Sequence, residues 1–193
     1  MGSVRFKKLE VGFLENNCYI LTCEQTLESV IIDPAAEGKR ILNNCGGLIV
    51  KHILITHGHG DHIGALNEVR ASTKALVGIH FMDASSLPFA PDIFLEGGCA
   101  LVFGNLELQV IHTPGHTPGG VCFLLDNYLF SGDTIFPGGP GNTALPGANY
   151  SHIMESIWKK IFVLPDDTII YPGHGLETTV GREKNSGIYA RGQ

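Results

Sequence analysis

Short runs of apolar residues alternate with turn residues through the first third of the chain. β-branched side chains dominate these runs, and such residues favour strands. We therefore predict three strands here, at residues 18–22, 29–33 and 48–55. Residues 61–70 follow as a predicted helix with Asp61 near its N-terminus, because polar residues of this type favour helix starts.

The rest of the chain continues this alternation of strand and helix patterns. Apolar runs predict five further strands, at residues 74–79, 106–111, 121–125, 128–130 and 168–171. Asp126 and Asn127 form a hairpin turn between two of them. Residues 150–162 place apolar side chains at helical intervals, which predicts an amphipathic helix packed on a sheet. The order of elements indicates a layered α/β domain with helices outside.

Composition and charge narrow the function classes. The 193-residue chain carries a formal charge of −6 at pH 7, which disfavours a nucleic-acid surface because phosphate binding needs clustered cations. No apolar run approaches the roughly 18 residues that a membrane span needs, and the first residues lack the apolar core of a signal peptide. We expect one domain over residues 1–193, a cytoplasmic location, and neither nucleic-acid nor membrane partners. The oligomeric state stays open.

Residues 56–62 read THGHGDH, with three histidines and an aspartate in a very short stretch. The motif directly follows a predicted strand, so its side chains belong to a loop before the helix. His57 and His59 can both turn toward one point, and imidazole nitrogens suit zinc, iron and similar metals. Asp61 and His62 follow closely enough to serve a second point nearby. The motif therefore predicts metal binding.

Three later strands also run into a polar residue flanked by glycine. These strands lead to His116, Asp133 and His174. Loops gathered at one edge of a sheet are where such residues can converge. We expect structural or solvent-exposed roles for the four isolated histidines, His52, His80, His112 and His152.

The THGHGDH motif and the three later loops resemble the metallo-β-lactamase-fold hydrolases, and within them the glyoxalase II-like branch of short hydroxyacylglutathione hydrolases. The resemblance runs from about residue 13 to residue 189. It implies a four-layer αββα sandwich with the metal site at one edge, between the two sheets. It also implies one metal ion held by His57, His59 and His116, a second held by Asp61, His62 and His174, and Asp133 as the bridge between them.

The same resemblance implies the cofactors and the reaction. Two divalent metal ions are expected, zinc first, with iron or manganese also compatible with a His and Asp set. The implied enzyme is a dinuclear hydrolase that attacks the carbonyl of a thioester with a metal-bridging hydroxide. Asp61 and Asp133 are the expected catalytic residues, and Asp61 would help to orient the nucleophile. A small-molecule thioester or ester is the expected substrate.

Other activities of this fold stay open. A persulfide dioxygenase would use a single iron, through His57, His116 and Asp133. A lactonase or another esterase would use the same two-metal site on a different ester. A non-catalytic binding protein would have no reason to keep a complete ligand set.

Two departures from full glyoxalase II enzymes concern the substrate. Those enzymes carry glutathione contacts on a C-terminal helical domain, and we expect no such domain here and therefore loose binding. Relatives commonly show Gly-Arg-Thr/Ser-Asp where residues 141–144 of this chain read GNTA. The candidates for contacting the substrate are Asn142 in that stretch and two cations near the chain end, Arg182 and Lys184.

Overall fold

Two six-stranded β-sheets form the centre of the computed structural model, which describes residues 2–189. The first sheet contains, in spatial order, β1 (Val4–Val11), β2 (Asn16–Cys23), β3 (Glu28–Ile32), β4 (Ile49–Leu54), β5 (Leu76–Ile79) and β6 (Ile93–Phe94). The remaining strands in chain order are β7 (Ala100–Phe103), β8 (Leu106–His112), β9 (Val121–Leu125), β10 (Tyr128–Gly132), β11 (Ile135–Phe136), β12 (Gly139–Pro140), β13 (Ile169–Pro172) and β14 (Thr178–Thr179). The second sheet has the order β14-β13-β10-β9-β8-β7, and β11 and β12 pair separately.

Helices cover the outer faces of both sheets. The α-helices are α1 (Gly38–Asn44), α2 (Gly60–Ile63), α3 (Leu66–Thr73), α4 (Tyr150–Ser156) and α5 (Val180–Lys184). A 3-10 helix spans Phe81–Ser86, and a π-helix, Ile157–Ile161, continues directly from α4. Among residues 2–189, no helix is both long and apolar enough to cross a bilayer.

Strand β2 shows why the chain forms four layers. Its side chains alternate between two buried faces, as a strand covered on both sides requires. Tyr19 and Leu21 pack in the core between the sheets, together with Phe123 of the second sheet. Cys18 and Ile20 face the opposite way, into the cluster beneath α1 and α3. A third cluster places α4 and the π-helix on the second sheet, so the expected αββα sandwich is confirmed.

The structure differs from the expected elements where the local pattern was weak or interrupted. The edge strands β1, β6, β7 and β14 were not predicted, and neither were the pair β11 and β12 or the helices α1 and α5. Charged and glycine-flanked residues dilute the apolar alternation of β1 and β7, and β6 and β14 have only two residues each. The helix expected over residues 61–70 is divided into α2 and α3. Gly64 lies so close to Ala35 that a Cβ there would overlap the Ala35 carbonyl oxygen. The Ala65 amide donates to the carbonyl of Pro34 at 2.9 Å, which ends the continuous helix.

The aromatic centre of the inter-sheet core generates a test of the fold. Phe130 is 1% exposed, and its ring centroid lies 5.0 Å from that of Tyr19 and 5.5 Å from that of Tyr171. Phe130→Ala should lower the free energy of unfolding by about 3–5 kcal/mol, since it removes a large buried ring and leaves a cavity. Val102→Ala on the 61% exposed edge position should change it by less than about 0.5 kcal/mol. Urea denaturation measures both; a loss below about 1 kcal/mol for Phe130→Ala contradicts the packing.

Candidate metal centre

The candidate ligands lie just beyond the C-terminal ends of four strands. The loop after β4 contains THGHGDH, and the strands β8, β10 and β13 lead to His116, Asp133 and His174. In the second sheet β10 and β13 are parallel, and β9 is antiparallel to both β8 and β10. The ends of β8, β10 and β13 therefore meet at one edge of that sheet, facing the loop from the first sheet.

Three histidines form the first cluster. His116 Nε2 lies 2.9 Å from His59 Nδ1. The ring centroid of His57 lies 4.7 Å from that of His59 and 4.8 Å from that of His116. One ligand atom from each of the three residues falls within 4.8 Å of the others. This spacing allows the three nitrogens to converge on one ion.

Asp61, His62 and His174 form the second cluster, beside the first. Asp61 Oδ2 lies 3.5 Å from His174 Nε2 and 3.7 Å from His62 Nε2. The side chain of His62 is buried, whereas Asp61 and His174 are partly exposed. The second cluster therefore has an open side.

The carboxylate of Asp133 lies between the two clusters. Its Oδ1 atom is 3.5 Å from His62 Nε2, in the second cluster, and its Oδ2 atom is 3.5 Å from His116 Nε2, in the first. A Cβ at position 173 would overlap Asp133 Oδ1, so the glycine there leaves the space that the carboxylate occupies. Oδ2 also lies 3.8 Å from His174 Nε2, so this one carboxylate faces both clusters.

The ligand atoms fit a metal ion. Within the part of the chain that the structure describes, His57 Nε2, His62 Nε2 and Asp133 Oδ1 are buried without a hydrogen-bond partner. A buried polar atom left without a partner costs about 1–3 kcal/mol. Imidazole nitrogens together with carboxylate oxygens are suitable donors for zinc, iron or manganese. A cation bound among them would satisfy these atoms.

The outer nitrogens of three histidines are held by acceptors. His62 Nδ1 lies 2.9 Å from Asp33 Oδ2, His116 Nδ1 lies 2.8 Å from the Asn142 carbonyl oxygen, and His174 Nδ1 lies 2.8 Å from that of Leu14. When Nδ1 donates its proton to these acceptors, Nε2 keeps a lone pair for a metal. These acceptors were not predicted from the sequence. Asp33 could have been found, because it directly follows β3 just as the candidate ligands follow their strands.

Asp33 also fixes the start of the THGHGDH loop. It is buried, and its Oδ2 accepts a hydrogen bond from Thr56 Oγ1 at 2.6 Å while its Oδ1 accepts one from the Thr56 amide at 2.8 Å. The same hydroxyl lies 3.1 Å from His57 Nδ1. One carboxylate therefore orients residues that belong to both clusters.

The site is electrostatically suited to a cation. Burial penalises a charged His62, but the nearby Asp33 and Asp133 carboxylates outweigh burial and raise the pKa of His62 to about 10, so a metal ion that binds Nε2 would take the place of a proton there. The hydrogen bond with His174 lowers the pKa of Asp61 well below its usual range. Burial alone would raise the pKa of Asp133, yet its contact with His62 prevails and lowers it. Burial lowers the pKa of His57, so this imidazole is neutral and ready to donate its lone pair.

The three residues expected to contact the substrate belong to neither ligand cluster. The side-chain oxygen of Asn142 accepts a hydrogen bond from the Ala144 amide at 2.9 Å, within its own loop, and its backbone carbonyl holds His116. Arg182 and Lys184 belong to α5, which follows β14. Because β14 pairs with the start of β13, α5 begins at the end of that strand opposite His174. Lys184 pairs with Asp166 at 3.5 Å, and a role of either cation in substrate binding stays a prediction.

The isolated histidines stay apart from the ligand groups. His80 and His112 stack on one another with ring centroids 4.1 Å apart. His52 is buried on β4, and His152 is exposed on α4. Over residues 2–189, none of the four belongs to a group of ligand atoms that could hold an ion. Their structural or solvent-exposed placement agrees with the expectation.

Comparisons with known proteins point to one family. The hydroxyacylglutathione hydrolase GloC of Haemophilus influenzae is 33% identical over 200 residues, which cover 92% of this chain and 94% of that protein. The structure of ETHE1 from Myxococcus xanthus has a TM-score of 0.87 with 32% identity, covering 94% of this chain and 82% of that chain. The structure of TTHA1623 in a di-iron-bound form has a TM-score of 0.79 with 34% identity, covering 93% and 97%.

The family model agrees with the fold and with the ligand loops. It matches residues 11–174, a range that begins at the end of β1 and ends on the last candidate ligand. All seven candidate ligands lie inside this range. With its αββα sandwich and its paired His and Asp clusters, the chain belongs to the metallo-β-lactamase superfamily.

Proposed function

We propose that the protein is a dinuclear metal-dependent hydrolase of thioesters, similar to the hydroxyacylglutathione hydrolases. The position of Asp133 carries this proposal, because one carboxylate presents an oxygen to each of two ligand clusters. Two relatives support it: GloC is named a hydroxyacylglutathione hydrolase, and TTHA1623 has a di-iron-bound form.

Each cluster would hold one divalent ion, with zinc the first candidate and iron or manganese also compatible with the donors. The first ion would be held by His57, His59 and His116, the second by Asp61, His62 and His174, and Asp133 would contact both. When bound, such a pair of ions supplies an activated water and polarises the carbonyl that the water attacks.

Asp61 is suited to contact the attacking water as well as a metal. Its side chain is 30% exposed at the open side of the second cluster. Asn16 Nδ2 donates a hydrogen bond to its Oδ2 at 3.0 Å, which fixes the carboxylate. Since the hydrogen bond with His174 lowers its pKa, Asp61 stays ionised and is suited to accept a hydrogen bond from a water that it orients.

The surface beside His174 presents apolar side chains to a substrate. Phe13, at the β1–β2 turn, is 98% exposed, and Leu176 is 73% exposed two residues after His174. The ring of Phe136 lies 6.4 Å from that of His174. The amine of the nearby Lys8 donates to the carbonyl of Gly175 at 2.5 Å. These exposed apolar side chains favour substrates with apolar substituents over recognition of a glutathione carboxylate, because the Lys8 amine is already bonded to Gly175.

The first test is the metal content of protein purified without added metal. Elemental analysis should find about two divalent ions per chain, and anomalous diffraction should place them at the two clusters. Active protein with one ion, and with Asp61 and His62 unligated, would contradict the dinuclear site. If that single ion is iron and the protein consumes oxygen with glutathione persulfide, the function is that of a persulfide dioxygenase.

Substitution of Asp61 tests its double role. Asp61→Asn should weaken the second metal and reduce turnover by about 100-fold or more, because the neutral amide is a poor metal ligand and a weaker hydrogen-bond acceptor for the attacking water. The fold should survive, as circular dichroism would show. Glu107→Gln, an exposed carboxylate on β8, is the matched control and should keep wild-type turnover. Unchanged turnover of Asp61→Asn at full metal content would remove Asp61 from the mechanism.

Steady-state kinetics across thioesters tests the substrate class. We expect slow hydrolysis of S-D-lactoylglutathione with a high KM, and comparable turnover of small coenzyme A and aryl thioesters. A strong, saturable preference for the glutathione thioester at low concentration would contradict the apolar recognition. No thioester turnover by protein with two metals, together with lactone or ester turnover, would assign the site to a lactonase or esterase instead.

Phe13 provides a separate test of the apolar surface. Phe13→Ala should raise KM for aryl thioesters about three- to tenfold while kcat changes little, because a binding contact is lost without change at the reacting centre. Val102→Ala, an exposed apolar residue on the edge strand β7, should leave KM unchanged. An equal KM for wild type and Phe13→Ala would show that the substrate does not touch this turn.

A further inference from the structure

A second buried carboxylate, Asp83, connects the two loops that supply the first cluster. Its Oδ2 accepts a hydrogen bond from the Gly58 amide at 2.9 Å and another from Thr117 Oγ1 at 2.6 Å. Its Oδ1 accepts one from the Gly119 amide at 2.8 Å. Gly58 lies between His57 and His59, and Thr117 directly follows His116. Every contact of this carboxylate is therefore next to a ligand of the first cluster or in the same loop.

The two loops come from different sheets. The loop with Gly58 follows β4 in the first sheet, and the loop with Thr117 follows β8 in the second. The distance between the two loops depends on how closely the core side chains of the two sheets interdigitate. Ligand nitrogens on opposite loops must be positioned within about 0.5 Å to share an ion. A short, charge-assisted set of hydrogen bonds across the gap provides that precision.

Close packing against both loops explains two of the glycines. A Cβ at Gly119 would lie 2.6 Å from Asp83 Cγ, and one at Gly58 would overlap Ser86 Oγ. Ser86 and Asp83 both belong to the 3-10 helix Phe81–Ser86. Glycine is therefore needed at both positions for the approach of this helix, so that the two amides can reach the carboxylate.

We infer that Asp83 is a positioning residue that holds the two loops in register so that His57, His59 and His116 converge on one metal ion. This inference rests on the proposed metal centre. The second cluster is supported separately, because Asp33 and the Leu14 carbonyl hold the outer nitrogens of His62 and His174. Loss of Asp83 should therefore affect the two metal sites unequally.

Asp83→Asn is a suitable variant because it changes one oxygen to an NH2 group at constant size. Whichever way the amide turns, its NH2 group faces either the Gly58 amide or the Gly119 amide, and two donors cannot bond. One of the two loops then loses its connection. Thr117→Val removes only the hydroxyl donor and leaves both backbone contacts, so its effect should be in the same direction and smaller.

The readout is release of zinc from the zinc-loaded protein to chelators of graded affinity. In Asp83→Asn the zinc affinity of the first cluster should fall by about 10–100-fold, the usual effect of removing support behind a ligand. The affinity of the second cluster should stay within about threefold. Anomalous diffraction from partly depleted crystals identifies which cluster has lost its ion.

Asp92→Asn is the matched control. Asp92 also accepts a backbone hydrogen bond, from the Val77 amide at 2.9 Å, and pairs with Arg70 at 3.1 Å. Its loss should lower the melting temperature without changing either zinc affinity. The inference is overturned if Asp83→Asn behaves like Asp92→Asn, or if both clusters of Asp83→Asn weaken equally. If Asp83→Asn does not fold, unchanged zinc release from Thr117→Val overturns it.

The measurement separates this inference from the proposed function. Zinc release does not depend on turnover, so absence of thioesterase activity would contradict the substrate class and leave the role of Asp83 intact. A wild-type protein that binds zinc at one cluster only would contradict the dinuclear hydrolase. If that cluster is the first, the effect of Asp83→Asn on its zinc affinity still decides whether Asp83 positions its ligands. If it is the second, the first cluster does not bind zinc and the inference is overturned.

Discussion

The convergence of buried imidazole and carboxylate atoms at one sheet edge is the constraint on which the rest of the structure depends. His57 Nε2, His62 Nε2 and Asp133 Oδ1 are all buried without a hydrogen-bond partner among the described residues. Such atoms destabilise a fold unless a cation satisfies them. The chain therefore couples its stability at this edge to metal binding, as metal sites commonly do.

The two-sheet architecture makes this convergence possible. Each ligand lies on a loop after a strand, and the strands themselves are anchored by apolar packing on both faces. Burial of apolar side chains holds the strands in place, so the loops at their ends can present polar groups. This division of roles explains why a site with so many polar side chains coexists with a largely apolar interior.

Support for the ligands comes from elements that are not ligand loops. Asp33 follows β3, Asp83 lies on a 3-10 helix, and the Leu14 carbonyl belongs to the β1–β2 turn. Each of them accepts hydrogen bonds from a ligand or its neighbour. The same turn exposes Phe13 beside His174. The orientation of His174 and the exposed apolar surface beside it thus depend on one short segment.

Local sequence predicted the inner strands of both sheets and grouped four candidate ligands in THGHGDH, while the full ligand set followed from the family resemblance. The short spacing of THGHGDH keeps its side chains close together in any fold. The apolar alternation that predicts a strand can likewise be recognised from neighbouring residues. The split between α2 and α3 could not be predicted, because it arises from the contact of Gly64 with Ala35, which lies far away in sequence.

The supporting contacts were decided only by the tertiary structure. Asp83 and the Asn142 carbonyl have no distinctive local pattern, because a hydrogen-bond acceptor is defined by what folds against it. Arg182 and Lys184 were expected near the substrate from their charge and place in the chain. The antiparallel pairing of β14 with the start of β13 directs α5 to the other end of that strand. Charge can be read along a sequence, but the distance between two groups is set by strand pairing and packing.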